Sequence, residues 1–99
     1  MRVTASQRAQ HDLDEILETI SASNGRFVAT KWRQQILDAL DLLELFSGAG
    51  SPRPRLGTGV RVLPLRPWLI YYVVEADQVL IKRIVHGARR QNRKLVSEE

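Results

Sequence analysis

The sequence predicts an α+β fold, in which an N-terminal two-helix hairpin packs on one face of a small, mainly antiparallel β-sheet. Two observations lead to this prediction. Apolar residues recur at helical spacing up to Phe46, and apolar, β-branched and aromatic runs separated by turn formers follow from Val60 to His86. A chain of 99 residues forms one domain, since it buries about 65% of the surface that its unfolded form exposes. We therefore expect a single domain over residues 1–99, with a basic C-terminal tail over residues 87–99.

The composition is that of a folded globular protein, with 43% hydrophobic and 26% charged residues. The absence of cysteine excludes disulfides and cysteine metal sites, and we expect neither a metal nor a cofactor. No apolar run reaches the roughly 20 residues that span a membrane, and the first ten residues lack the apolar segment of a secretory signal. We expect a cytoplasmic protein without a membrane partner.

The net charge of +4 is unevenly distributed. Residues 1–50 hold five Lys/Arg and seven Asp/Glu, whereas residues 51–99 hold ten Lys/Arg and four Asp/Glu. The excess positive charge of the second half creates an electrostatic field that attracts an acidic partner or nucleic acid, and this attraction weakens with salt. The alternative is a solvated basic surface that maintains solubility.

The first half of the chain predicts an edge strand and two helices. Met1–Ala5 tolerates β structure, and Ser6 is a candidate N-cap. The first helix has its apolar stripe at Ala9, Leu13, Ile16, Leu17 and Ile20, with Asp12, Asp14, Glu15 and Glu18 on the other side. Turn formers at Ser21–Gly25 end it. The second helix runs from about Arg26 to Phe46, with a core stripe at Trp32, Ile36, Ala39, Leu40, Leu43 and Phe46.

Two leucines do not fit the stripe of the second helix. Leu37 and Leu45 fall near its polar side at about 100° per residue. They are either isolated exposed leucines, which are common, or part of a groove that a partner helix covers.

The second half predicts a loop at residues 47–59 and three strands, Val60–Leu65, Trp68–Glu75 and Val79–His86. Strand alternation places Ile81, Arg83 and Val85 on one side, and Lys82, Ile84 and His86 on the other. An arginine in an apolar strand is costly without a counter-charge or water. Arg61 and Arg83 therefore either extend their charged ends to water or pair with an acid such as Glu75, or they form a concave basic face that binds phosphate or carboxylate.

The order of elements and several short motifs resemble the RelE/ParE superfamily of type II toxin–antitoxin toxins over nearly the whole chain. The first-helix signature is similar at Ser6, Ala9, Asp12, Leu13 and Ile16. The loop before the sheet is similar at Gly50 and Pro52–Leu56, and the strand opening at Gly59, Val60 and Arg61. Tyr72 matches the strand tyrosine, and the closing motif is similar at Ile81, Arg83, Ile84, His86, Gly87, Ala88 and Arg89.

The superfamily contains two activities. RelE-like members cleave ribosome-bound messenger RNA, a reaction that requires a base, an acid and cations for the phosphorane charge. Arg61 and Arg83 would clamp the phosphate and His86 would transfer a proton. The tail lacks the late tyrosine of these nucleases, however, and its ending resembles ParE-like toxins, which poison DNA gyrase without a nuclease activity of their own.

The resemblance thus implies a ParE-like toxin that inhibits DNA gyrase, is not an enzyme, has no catalytic residue, and is neutralised by an acidic antitoxin. The candidate antitoxin contacts are Leu37, Leu45, Arg61 and Arg83. The candidate target contacts are His86, Arg89, Arg90, Arg93 and Lys94. A proline near Ser47 and an aspartate near Arg90, frequent in ParE-like chains, are missing. The alternatives are a RelE-like messenger endonuclease and a non-toxic basic nucleic-acid-binding module, which the pI and the Arg-rich tail support.

Overall fold

The structure, a computed structural model, describes residues 1–88 and 95–96. Its elements are β1 (Arg2–Ala5), α1 (Gln7–Asn24), α2 (Arg26–Leu45), β2 (Ser51–Pro52), a 3₁₀ turn (Pro54–Leu56), β3 (Val60–Leu65), β4 (Trp68–Val74) and β5 (Gln78–His86). The sheet order is β1-β5-β4-β3-β2, with β1 parallel to β5 and the other pairs antiparallel. The predicted α+β fold is confirmed. In the described ranges, no helix has the length and apolar character needed to cross a bilayer.

The two helices form a hairpin with a single connecting residue. The Ser6 hydroxyl caps α1 by accepting the Ala9 backbone N–H at 3.0 Å, and it donates to the Lys82 carbonyl at 3.1 Å, which ties the helix start to β5. Gly25 ends α1 and precedes α2 with φ 93°, a left-handed conformation that glycine adopts without steric cost. Ser21–Asn24, predicted as a turn, instead forms the last turn of α1.

The sheet is buried on both faces. On one face, both helices cover the strands, and the shared core consists of Ala9, Ile16, Ile36, Leu43, Ile70, Tyr72, Val79, Ile81 and Ile84. On the other face, the 3₁₀ turn and the C-terminal Leu95–Val96 pack on the strands, in a cluster of Leu56, Val60, Val62, Tyr71, Val85, Leu95 and Val96. The loop predicted at residues 47–59 therefore contributes a strand, a turn and a core residue.

A β-bulge in β5 changes the predicted alternation. Tyr72 pairs with Ile81, whereas the adjacent Tyr71 pairs with Arg83, so that Lys82 is an extra residue. Ile81 consequently faces the helices while Arg83 faces the opposite side. The prediction that Ile81 shares a face with Arg83 was wrong, because a bulge shifts the period-2 pattern by one residue.

Two helix predictions are also corrected. Asp12, assigned to the solvent side of α1, is buried, because its carboxylate binds groups of β5. Phe46, assigned to the core stripe of α2, is 63% exposed. The helix ends at Leu45 and Phe46 leaves it with φ −135°, so the helical periodicity no longer directs this side chain to the core.

Candidate functional site

Arg83 lies at the centre of a buried ion pair. Its Nε donates to Asp12 Oδ2 at 2.7 Å and its Nη2 to Asp12 Oδ1 at 3.1 Å, in the bidentate geometry of strong guanidinium–carboxylate pairs. The Asp12 Oδ2 also accepts the Ile84 backbone N–H at 3.0 Å, and Arg83 Nη1 donates to the Leu95 carbonyl at 3.0 Å. Arg83 is 0% exposed. The prediction that it contacts an antitoxin is corrected, since a partner cannot reach it in this fold; its acid is Asp12 and not Glu75.

Arg61 holds the loop that follows α2. Its Nη1 donates to the Gly50 carbonyl at 2.6 Å. The Gly50 N–H donates to the Tyr72 hydroxyl at 2.8 Å, and that hydroxyl donates to the Ser47 carbonyl at 2.8 Å. The side chains of Arg61 and Tyr72 thus fix the loop that contains Ser47 and Gly50 against β3 and β4. Arg61 remains half-buried, so part of it is accessible to a partner.

The two arginines project from opposite faces of the sheet. Arg61 pairs with Tyr72, whereas Arg83 pairs with Tyr71, and directly paired residues share a face while neighbours along a strand do not. The predicted concave face carrying both arginines is therefore not formed. One phosphate cannot be clamped by this pair.

His86 is exposed at the end of β5, beside an aromatic contact. Its ring meets Trp68 edge-to-face with centroids 5.5 Å apart, and Trp68 meets Trp32 in the same way at 6.4 Å. The Ala88 N–H donates to His86 Nδ1 at 3.0 Å. His86 and Trp68 line an open groove of about 760 Å³ with residues of α1, including Glu15 and Glu18. His86 pairs with Trp68 on the helix-covered face, on the side of the sheet opposite to Arg83.

The remaining four target-contact candidates lie outside the described residues. These are Arg89, Arg90, Arg93 and Lys94. They follow His86 in the chain, so the exposed end of β5 is the part of the described fold from which this basic segment leaves.

A basic rim forms beside β2 and β3. Arg53 and Arg55 are exposed, and Arg53 lies near the Tyr71 side chain on the sheet face opposite to the helices. Burial raises the pKa of Tyr71 above its ordinary value, and the positive charge of Arg53 opposes part of this rise. Tyr71 could not be identified from the sequence, because only the folded sheet brings it to Arg53.

The outer face of α2 exposes more apolar surface than the sequence had indicated. Leu37 is 38% exposed and Leu45 is 75% exposed, and Phe27 at the other end of the helix is 73% exposed. Phe27 was missed, although it lies five helical turns before Leu45 and hence on the same side. The sequence pattern that could have identified this face is the pair Phe27 and Leu45 on one side of α2, with charged residues between them.

The described geometry defines a small α+β protein whose exposed candidate residues lie in separate regions of the surface. A family model for the ParE toxin of the type II toxin–antitoxin system parDE matches residues 3–91. The Toxin ParE3 of Caulobacter vibrioides is 29% identical over 86 residues, which cover 87% of this chain and 86% of that protein. The solved chromosomal ParDE toxin–antitoxin system from P. aeruginosa contains a chain similar at a TM-score of 0.76 and 28% identity, covering 87% of this chain and 95% of that one.

The chain belongs to the ParE toxin family of type II toxin–antitoxin systems, since the family model matches most of its length. The resemblance to the RelE/ParE superfamily, on its ParE-like side, is confirmed.

Proposed function

We propose that the protein inhibits DNA gyrase and is neutralised by a cognate acidic antitoxin. Membership of the ParE family supports this function. The structural observation that carries it is the placement of Arg61 and Arg83 on opposite faces of the sheet. Messenger cleavage through these residues and His86 requires their groups to converge on one phosphate, and Arg83 is instead buried against Asp12. The geometry therefore favours the gyrase-inhibiting branch of the superfamily over the nuclease branch.

We assign the gyrase contact to the end of β5 and the segment that follows it. His86 is exposed there beside Trp68, and the chain continues with Arg89, Arg90, Arg93 and Lys94. A cluster of cations at the end of an element suits the negative surface of a gyrase–DNA complex, and it gives the association a steep salt dependence.

The antitoxin contact is assigned to the basic rim at Arg53, Arg55 and the accessible part of Arg61. Leu37 and Leu45 also remain exposed, but the outer face of α2 carries Asp38, Asp41 and Glu44 around them. These carboxylates repel an acidic chain. Charge complementarity therefore favours the rim over the helix as the contact for an acidic antitoxin.

A gyrase assay tests the function. The purified chain should inhibit supercoiling and increase cleaved DNA, and a variant with Arg89, Arg90, Arg93 and Lys94 changed to Ala should lose most of this effect. The matched control changes four exposed basic residues of the other half of the chain, Arg2, Arg26, Lys31 and Arg33, to Ala. Cleavage of ribosome-bound messenger without an effect on gyrase would establish the nuclease alternative. Salt-sensitive DNA binding without growth arrest would establish the nucleic-acid-binding module.

The antitoxin assignment has its own test. Expression of the chain should arrest growth, and co-expression of the neighbouring open reading frame should relieve the arrest. Reversing the charges of Arg53 and Arg55 to Glu should weaken binding of that antitoxin, measured by calorimetry, more than the same change at Arg2 and Arg33. Equal losses for the two pairs would contradict a localised contact and indicate diffuse electrostatic attraction.

A further inference from the structure

The outer face of α2 carries a regular seam of exposed residues. Its members are spaced alternately by four and three residues, as in the contact positions of a coiled coil: Phe27, Lys31, Gln34, Asp38, Asp41 and Leu45. All six are exposed. Ala29, Ile36 and Leu43, on the opposite side of the helix, are buried in the domain core. The seam therefore faces directly away from the molecule.

The seam is complementary to itself when two helices run antiparallel and cross at the level of Ile36. In that register Phe27 faces Leu45 of the second copy, which pairs the two most exposed apolar side chains of the helix. Lys31 faces Asp41 of the second copy, so an ammonium meets a carboxylate. Because the arrangement has a two-fold axis, each of these contacts forms twice.

The polar centre and the flanks of the seam match in the same register. Gln34, an amide that can donate, faces Asp38 of the second copy. On the flanks, Leu37 faces Leu37 of the second copy and Leu42 faces Val28. Leu37 and Leu42 are 38% and 40% exposed, so the crossing buries apolar surface that the single chain leaves in water.

We propose that a second copy of this chain docks on the outer face of α2 in this antiparallel register and forms a two-fold homodimer. Charge complementarity selects this occupant. A parallel pair would place Lys31 against Lys31 and Asp41 against Asp41, and an acidic peptide would meet the carboxylates of Asp38 and Asp41. The antiparallel second copy places apolar against apolar at Phe27 and Leu45, positive against negative at Lys31 and Asp41, and an amide donor against a carboxylate at Gln34 and Asp38.

The dimer is reversible. One pair of 20-residue helices forms an interface at the small end of the range for specific complexes, and such interfaces are weak or transient. The full-length chain should therefore shift from its monomer mass of 11.3 kDa towards twice that mass as its concentration rises through the micromolar range.

Charge-swap variants test the register by sedimentation velocity. Lys31→Glu places two carboxylates at each of the two symmetric contacts, and Asp41→Lys places two ammonium groups there. Each single variant should weaken dimerisation about tenfold or more, since it replaces two attractions by two repulsions. The double variant, K31E/D41K, restores opposite charges and should restore dimerisation. All changed side chains are exposed, and Arg33→Glu, off the seam on the same helix, is the control.

Two results would overturn the proposal. One is a wild-type chain that stays monomeric at several hundred micromolar, well above the micromolar range in which the proposed dimer should form. The other is a double variant that stays as dissociated as the single variants. If the wild type is monomeric and Lys31→Glu weakens only antitoxin binding, the face belongs to the antitoxin. Gyrase inhibition by the same preparations reports on the proposed function separately, so the two proposals can fail independently.

Discussion

Replacing Asp12 by Ala should destabilise the fold more than any exposed substitution on α1. The Asp12 carboxylate accepts two guanidinium N–H groups of Arg83 and the backbone N–H of Ile84, over distances of 2.7 to 3.1 Å. Both side chains are almost completely removed from water. The substitution leaves a buried guanidinium without its carboxylate and a buried amide without its acceptor.

The magnitude follows from these two losses. Removing one partner of a buried ion pair costs about 3–5 kcal/mol, and leaving a buried N–H unsatisfied costs about 1–3 kcal/mol. The two terms overlap, because relaxation and water entry relieve both. We expect a loss of about 4 kcal/mol, a large part of the roughly 5–15 kcal/mol that stabilises a domain of this size.

Urea unfolding followed by circular dichroism measures this loss. Asp14→Ala, an exposed carboxylate on the same helix, is the matched control and should change the free energy of unfolding by less than about 0.5 kcal/mol. The double variant Asp12→Leu/Arg83→Met removes both charges and should recover part of the stability, because apolar residues of similar volume often replace a buried ion pair without loss. A cost below about 1 kcal/mol for Asp12→Ala would refute the reasoning.

Three further changes have defined outcomes. A Cβ at Gly50 would lie 2.7 Å from two oxygen atoms, so Gly50→Ala should lower the unfolding midpoint in urea, whereas Gly48→Ala, with open space around its Cβ, should not. Burial raises the folded pKa of Tyr71 above its ordinary value of about 10, so the stability that this tyrosine contributes is present below about pH 10 and is lost as the pH rises further. Ultraviolet titration should show a further rise of the Tyr71 pKa in Arg53→Ala. The Tyr71 ionisation step should be absent in Tyr71→Phe. Ser6→Ala should cost about 1 kcal/mol in urea unfolding through loss of the α1 cap, and an unchanged midpoint would contradict that role.

Most element boundaries followed from local patterns. The periodicity of α2, the Ser6 cap and the strand from Val60 to Leu65 depend on residues close in sequence, and the structure places these elements at the predicted positions to within a few residues. The edge position of β1 was also predicted, since residues 1–5 form a short, β-tolerant segment at the start of the sequence. Secondary-structure propensity and the spacing of apolar residues depend on neighbours in the chain, so both can be read from a single sequence.

The environment of Arg83 was not predictable in this way. Its acid is 71 residues away in the chain, and the bulge at Lys82 moves Arg83 to the face away from Ile81. An arginine within an apolar strand is energetically costly, and this feature is visible in the sequence. It led to the expectation that an acidic side chain would pair with Arg83 as one of the alternatives. The sequence did not contain the partner, because only the packing of α1 along β5 brings Asp12 to that position.

The separation of the surfaces leads to a final prediction about activity. Trp32 lies on the inner side of α2 and contacts Trp68, which contacts His86, whereas Lys31 and Asp41 point outward from the same helix. A second copy on the outer face therefore leaves the end of β5 uncovered. Lys31→Glu should abolish the dimer yet keep gyrase inhibition within about twofold of the wild type, as expected for sites without shared contacts. A parallel loss of dimer and inhibition, restored together in K31E/D41K, would show instead that the dimer is the inhibitory form.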